Sequence, residues 1–305
     1  ITMLLKPGAE AHSYEPSPKD IQAIGKSDLF VYTGGDSDEW VDGMLSSIDK
    51  SKLKTFKMMD TVKLYEEEMS EGMQEEEHEH HHDDKDHHDE DKDHHHDEDK
   101  EHHHDDKDSH DKEHHHDDKE HHHHDGEEGP EMDEHVWTSP ANAIQIVKAL
   151  TETISGLDKD NAQTYQKNAE AYIAKLEKLD KDFHDVIDHA KRKEIIVGDR
   201  FPFLYFAKEF GLTYYAAFPG CSTDTEANPA TIAFLVDKVK EDHIPVVFHI
   251  EMSNEQMSKA IAEATGAKNE LLNAVHNVSD EEFKKGVTYI DLMNHNVKVL
   301  KEALN

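Results

Sequence analysis

The sequence predicts an α/β protein: two doubly wound lobes with parallel sheets, joined by one long rigid helix. Three observations carry this. Short apolar runs alternate with helical stretches through residues 191–305, the pattern of parallel strands connected by crossover helices. A shorter version of the same alternation runs through residues 1–65. Between them, Tyr165, Ala169, Tyr172, Leu176, Leu179, Phe183, Val186 and Ala190 recur at alternating spacings of 4 and 3 with no Gly or Pro among them. That is one amphipathic helix from Asn161 to Ala190, about 30 residues and roughly 45 Å long.

In chain order, Ile1 to Leu5 reads as a buried strand ending at the turn Lys6-Pro7-Gly8. An extended loop containing His12 and two prolines follows. Ser17 caps a helix with Pro18 at its first position, expected to run to Ser27. Leu29 to Thr33 is a second strand, closed by Gly34-Gly35, and Ser37 or Asp38 opens a helix through Trp40 and Met44. Lys54 to Met58 is a third strand. Order is expected to resume at Asp133, with a helix from Ser139-Pro140 to Ser155, stopped by Gly156. Beyond the long helix, strands are expected at Glu194–Val197, Leu212–Ala217, Val246–Ile250 and Leu271–Val275. Helices are expected at Phe203–Phe210, Pro229–Glu241, Ser253–Thr265 and Tyr289–Leu304. The expected organisation is an N-terminal lobe of 1–65 and 133–157, an insert of 66–132, a linking helix of 158–190 and a C-terminal lobe of 191–305. In such sheets ligands bind beyond the carboxyl ends of the strands.

The insert contains a tract unlike the rest. His78 to His124 holds 20 His, 20 Asp or Glu, 6 Lys and one Ser, and nothing else. With no apolar side chain it has no means of building a core, and disorder is expected. Imidazole mixed with carboxylate suits borderline divalent metals, zinc first. The tract supplies −14 of the formal net charge of −36. So acidic a chain is a poor partner for nucleic acid, whose phosphates need a basic face. The single cysteine, Cys221, excludes an internal disulfide. No apolar run approaches the roughly 20 residues that span a bilayer, and no signal sequence is present. The chain opens inside an expected strand, so further sequence is expected before Ile1.

Eight histidines lie outside the tract: 12, 135, 184, 189, 243, 249, 276 and 295. His184 and His189 fall off the apolar stripe of the long helix. His243 and His295 read as surface residues, and His249 as a core or sheet-face residue. His12, His135 and His276 differ because each falls in a loop, where function concentrates. Zinc takes four ligands, so three histidines leave one position for a carboxylate or water. Glu251 ends a strand and is a weaker candidate, while Cys221 in its Pro-Gly-Cys turn reads as a small packed residue.

The stretch Pro7-Gly8-Ala9-Glu10-Ala11-His12-Ser13-Tyr14-Glu15-Pro16-Ser17-Pro18, followed by Asp20-Ile21, closely resembles the first metal-ligand loop of the cluster A-I solute-binding proteins. These serve ABC importers for zinc and manganese. Glu134-His135-Val136-Trp137-Thr138-Ser139-Pro140 resembles the second ligand motif of that family, and the long helix resembles the one joining its lobes. Zinc-selective members often carry an acidic His-rich loop between these two motifs, where the tract lies. The resemblance extends over essentially the whole chain and implies a metal site in the inter-lobe cleft. The third ligand departs from the pattern: counting back from Phe203-Leu204-Tyr205-Phe206-Ala207 places Arg200 there, and arginine cannot ligate a metal. Either Asp199 substitutes, or Arg200 forms a structural ion pair and other donors serve. Counting back from Tyr289 places His276 at the fourth ligand, and nitrogen there favours zinc over manganese.

The resulting expectation is an extracytoplasmic zinc receptor, periplasmic or a cell-surface lipoprotein. It is expected to be monomeric, to bind one Zn²⁺ through His12, His135, His276 and Asp199 or water, and to deliver it to the membrane permease of an ABC importer. The tract would aid capture. A manganese receptor of the same family, or a zinc buffer in which the tract is the main function, are the alternatives. A hydrolase is disfavoured: there is no His-Glu-x-x-His pair and no partnered nucleophile and base, so the protein is expected not to be an enzyme.

Overall fold

A computed structural model describes residues 1–49, 51–73, 131–222 and 228–305, all within one compact unit. The histidine tract lies outside these residues. Helix α1 (Pro18–Ile24) begins with Ser17 and Asp20 capping each other's backbone N–H groups and proline at the first position, where its missing N–H costs nothing. Strand β1 (Leu29–Tyr32), helix α2 (Trp40–Ser47) and strand β2 (Lys54–Lys57) follow, with β1 and β2 paired in parallel from Leu29 opposite Lys54. Phe30, Val41, Met44, Leu45 and Ile24 fill the space between this sheet and its helices.

Helix α3 (Pro140–Leu157) is capped by Ser139 and packs against α4 (Ala162–Ile187). At 26 residues α4 is about 39 Å long. Its C-terminal half buries Leu176, Leu179 and Phe183, as expected from the spacing, and then Ile187, while Val186 and Ala190 of the expected stripe are only half-buried. The second sheet contains β3 (Glu194–Phe201), β4 (Thr213–Pro219), β5 (Val246–His249) and β6 (Lys268–Leu271), all parallel, in the order β4-β3-β5-β6. Helices α5 (Leu204–Phe210), α6 (Pro229–Glu241), α7 (Gln256–Thr265), α8 (Asp280–Lys285) and α9 (Tyr289–Leu304) complete the chain. Along β3, Ile195 and Val197 face one side, with Phe183 and Ile187 of α4 and Leu300 and Leu304 of α9. Ile196 faces the other, with Leu235 of α6 and Ile261 of α7. The sheet is therefore covered on both faces, and it reverses winding direction beside β3, so that β3 and β5 flank a crevice at their carboxyl ends.

Several elements differ from expectation. Residues 1–5 form no strand; Ile1 and Met3 are exposed, and nothing among the described residues pairs with them as a ladder. β3 continues past Val197 through Asp199 to Phe201, because β4 resumes pairing beyond a bulge, with Arg200 opposite Phe218. Gly156 does not stop α3, which runs to Leu157; the glycine faces open space. β6 ends at Leu271 rather than Val275. His295 is half-buried, its Nε2 3.2 Å from the Leu271 carbonyl. His249 lies at the end of β5 with Nδ1 3.0 Å from Asn269 Oδ1. Residues 66–73, assigned above to the insert, lie against β4 and α6: Ser70 Oγ accepts from the Ala216 N–H, and Thr231 donates to the Gly72 carbonyl. Among the described residues no helix is long and apolar enough to cross a membrane.

Candidate metal centre

His12, His135 and His276, some 120 or more residues apart in sequence, come together: one ring nitrogen from each lies within 4.8 Å of the others. Ring centroids are 5.4 Å (12 to 135), 5.2 Å (12 to 276) and 4.9 Å (135 to 276) apart. His12 comes from the loop before α1, His135 from the turn before α3, and His276 from the loop after β6. That third loop is at the carboxyl end of the second sheet, where a doubly wound sheet offers its ligands.

The two nitrogens of each ring have different surroundings. Every Nδ1 faces a carboxylate: Glu134 Oε1 at 3.1 Å from His12, Asp133 Oδ1 at 3.1 Å from His135, and Glu251 Oε1 at 3.3 Å from His276. Every Nε2 is buried and has no hydrogen-bond partner among the described residues. A carboxylate accepts only, so each Nδ1 carries the proton and each Nε2 is left with its lone pair. Ser37 makes the same assignment at His12: its hydroxyl donates to Glu134, so its oxygen 2.8 Å from Nδ1 is free to accept. Three buried lone pairs with no donor to satisfy them would be costly in an apolar core. With one ring nitrogen from each within 4.8 Å of the others, the three could hold a metal ion, and a carboxylate behind each imidazole is the arrangement that orients metal-ligating histidines and raises their basicity.

The carboxylates are themselves held in place. Glu251 accepts from the Ala274 and His276 backbone N–H groups, each at 2.7 Å, and Asp133 Oδ1 accepts from the His135 N–H at 2.8 Å. Burial raises the Glu251 and Glu134 carboxyls, but the hydrogen bonds from His276 to the one and from His12 and Ser37 to the other leave both below their usual range. At His135 burial works against the charged ring, yet the Asp133 carboxylate outweighs it and the imidazole is raised. At His276 burial prevails and the imidazole is lowered. Close approach is built into the backbone: a Cβ on Gly220 would meet the Phe201 carbonyl at 2.9 Å and His135 Cε1 at 3.2 Å. Val275, β-branched and next to His276, holds φ at 62°, a strained conformation of the kind that collects at functional sites.

Asp199 lies outside the cluster of three nitrogens. It is buried in β3, its Oδ1 accepts from the Arg200 N–H at 2.9 Å, and its Oδ2 has no partner among the described residues. It lines a cavity of about 300 Å³ that His12, Arg200 and Ser253 also line. Arg200 reaches Glu10 Oε2 at 3.3 Å and the Ser222 carbonyl at 3.4 Å. Glu251 is a partner of His276 and supplies no nitrogen-cluster donor. Cys221 sits beside His135, with Sγ, a Glu134 oxygen and a His135 ring nitrogen mutually within 4.8 Å. Burial and the nearby Glu67, Glu134 and Asp133 push its thiol up. The carboxylates Asp133 and Glu134 were legible in sequence only as neighbours of His135; their assignment to two different histidines needed the fold.

Comparison with known proteins gives the family. Residues 1–303 match the family model described as zinc-uptake complex component A, periplasmic. The high-affinity zinc uptake system protein ZnuA of Bacillus subtilis is 33% identical over 304 residues, covering 100% of this chain and 80% of the relative. The zinc-binding lipoprotein AdcA of Streptococcus pneumoniae is 30% identical over 303 residues, 99% of this chain but 51% of the relative, so the chain spans about half the length of that protein. Among solved structures, the Zn(II)-bound ZnuA-like domain of Streptococcus pneumoniae AdcA aligns with a TM-score of 0.69 at 28% identity, covering 99% of this chain and 89% of that one. The metal-dependent lipoprotein YcdH of Bacillus subtilis aligns with a TM-score of 0.70 at 29% identity, over 99% and 90%. With a family match from the first residue to 303 and two α/β halves that carry three carboxylate-backed histidines to one point, the chain belongs to the family of zinc-uptake complex component A.

Proposed function

We propose that the chain is an extracytoplasmic zinc receptor, which captures one Zn²⁺ and delivers it to the membrane permease of an ABC importer. The observation that carries this is that His12, His135 and His276 each bring a ring nitrogen within 4.8 Å of the others, each ring having a buried, unpartnered Nε2 and a carboxylate at Nδ1. Zinc holds imidazole nitrogen at about 2.0–2.1 Å in a tetrahedron, which requires nitrogens roughly 3.4 Å apart; small rotations within the 4.8 Å group reach this. Three neutral nitrogens favour zinc over manganese, which prefers oxygen. The fourth position goes to water or to Asp199 through its free Oδ2. The names of the similar proteins, a high-affinity zinc uptake system protein and a zinc-binding lipoprotein, support zinc as the cargo and a location outside the cytoplasm. The tract of residues 78–124 supplies many weaker sites on the same chain, which raise the local zinc concentration.

The test is zinc calorimetry on the chain lacking residues 78–124, repeated with His276→Ala. One tight site is expected in the first protein and its loss in the second. Absence of any tight site after deletion would make the tract the main function and refute the receptor reading.

A further inference from the structure

We infer that Glu209 and Asp180 share one proton where α3, α4 and α5 meet, and that this proton keeps the turn bearing His135 in place. Its effect on zinc rests on the receptor reading above; the shared proton itself does not.

Helix α5 grips the segment from Asp133 to Ala141 at both ends. The Tyr205 hydroxyl donates to the Asp133 carbonyl at 2.7 Å. Four residues on, Glu209 Oε1 accepts from the Ala141 N–H at 3.2 Å. At that spacing the two side chains lie on the same face of the helix. His135 falls between the two holds. The turn that carries it is stiff: the Thr138 N–H and hydroxyl both donate to the His135 carbonyl, at 3.1 and 2.8 Å, and Ser139 then caps α3. A shift at Ala141 therefore reaches His135 with little slack.

Behind Glu209 stands Asp180 of α4, and the two carboxyl groups are in hydrogen-bonding contact. Glu209 Oε2 and Asp180 Oδ1 are buried, and neither has a donor among the described residues. Ionised carboxylates only accept, so two of them in contact need a proton between them. Among the described residues no lysine or arginine pairs with either. On α5 itself Lys208 turns to Glu68. On α4, His184 Nε2 is 3.9 Å from Asp180 Oδ1, beyond hydrogen-bond reach, and its Nδ1 is 3.3 Å from Asp188. On α9, the Tyr289 phenol donates to the Trp137 carbonyl, and burial pushes its ionisation up, so it stays neutral. From α3 come the Ser139 hydroxyl and the first backbone N–H groups, which favour one negative charge but not two.

Burial pushes the Glu209 carboxyl up to about 7, the Asp180 carboxylate adding to this and the Ser139 hydroxyl opposing it. That lies above the 4.5 of a free carboxyl, so the support the pair gives the fold is complete below that value and is lost as pH rises through about 7. Beyond it both groups are charged and repel, and α5 loosens its hold at Ala141.

Glu209→Gln in the full chain mimics the protonated state: its amide oxygen still accepts from Ala141 and its NH₂ donates to Asp180. Each measurement compares variant with wild type, which cancels the histidines' own titration. The metal-free Tm of the variant should gain on wild type as pH rises from about 5 to about 8, then stay level. One equivalent of zinc, chased with a chelator, should leave both proteins at the same rate at about pH 6. At about pH 8.5 it should leave wild type about fivefold faster, the low end of coupling between sites. Asp180→Asn should behave alike, and it decides if the glutamine variant fails to fold. A Tm difference or a rate ratio that does not change with pH overturns the proposal. So does loss of the pH dependence in His184→Gln, which would assign the titration to that ring. An infrared spectrum of the wild type with no protonated carboxyl at about pH 6 overturns it whatever the variants do. A Tm difference that follows pH without any tight zinc equivalent would refute the receptor reading and keep the shared proton.

Discussion

Replacing Glu251 by glutamine keeps the shape of the side chain and removes its charge. The carboxylate accepts three hydrogen bonds: from the His276 N–H (2.7 Å) and Nδ1–H (3.3 Å) on Oε1, and from the Ala274 N–H (2.7 Å) on Oε2. Glutamine has one acceptor oxygen. If that oxygen stays toward His276, an NH₂ group faces the Ala274 N–H, donor against donor, in a buried place. An unsatisfied buried amide costs about 1–3 kcal/mol, which for a protein of this size lowers Tm by about 2–4 °C per kcal/mol. If the amide turns over, His276 loses the acceptor that keeps its proton on Nδ1 and its lone pair on Nε2. Either way the imidazole is less firmly aimed and less basic. Loss of such a partner typically weakens metal binding about 10–100-fold, or about 1.4–2.7 kcal/mol. The assay is competition for zinc against a chromophoric chelator, using the tract-deleted chain, with thermal unfolding of the metal-free protein alongside. Zinc affinity within twofold of the parent, together with a lowered Tm, would show that Glu251 supports only the fold and would refute its role behind the ligand.

Acid should weaken zinc binding from a higher pH than an ordinary imidazole would suggest. In the metal-free protein the raised His135 ring holds a proton on Nε2 above its usual value of about 6.5, and zinc must displace it. Affinity should therefore climb with pH through that raised value and level off beyond it. Calorimetry in buffers of different ionisation heat should find proton release at about pH 6 that declines as pH rises; no release at that pH would contradict the reading. Gly220→Ala should destabilise the protein by about 1–3 kcal/mol, because its Cβ would sit 2.9 Å from the Phe201 carbonyl and 3.2 Å from both Asp133 Oδ2 and His135 Cε1. Thermal unfolding with and without zinc measures it, and an unchanged Tm would show that the backbone is not held that closely.

Much of the fold was legible because local signals and tertiary packing agree. The 4-and-3 spacing of α4 became its buried face at Leu176, Leu179 and Phe183, and the Ser-Pro and Asn-Pro starts became capped helices at Ser17, Ser139 and Asn228. Where they disagree, pairing won. Gly198-Asp199-Arg200 has the composition of a turn, yet β4 supplies a partner and the strand continues, which takes Asp199 into a sheet position. Residues 1–5 have the composition of a strand and no partner, and so form none. Helix α8 had a readable start in Ser279 and Glu282, a capping box the sequence reading passed over. The three histidines were recognisable as loop residues, but what turns them into a site was not. Which carboxylate stands behind which imidazole depends on approaches such as Glu134 to His12, across more than 120 positions of sequence.

The loops that carry the three histidines are stitched to one another, which on the proposed function bears on how metal is held and released. Asn277, next to His276, donates to the Lys6 and Ala9 carbonyls at 2.8 Å each, and the Gly8 N–H donates to the Val278 carbonyl, so the His12 and His276 loops are tied to each other. Trp137, two residues from His135, donates from Nε1 to the Ala274 carbonyl at 2.8 Å, while Tyr289 donates to the Trp137 carbonyl at 2.8 Å. Glu10 and Arg200 add an ion pair from the His12 loop to β3. Donors fixed in this way have little freedom left to lose when zinc arrives, so the coordination energy goes into affinity rather than into ordering the site. The tract 78–124 has ligands in plenty but no apolar residue with which to fix them. On the proposed function, affinity therefore belongs to the three histidines and number of sites to the tract. Release, on the same reading, then requires more than competition for one ion: the permease has to separate loops that hydrogen bonds hold together. Removing Asn277's two bonds, by Asn277→Ala, should accordingly speed zinc dissociation more than it slows zinc capture. Stopped-flow measurement of both rates on the tract-deleted chain decides this, and an unchanged dissociation rate would show that the stitching does not govern release.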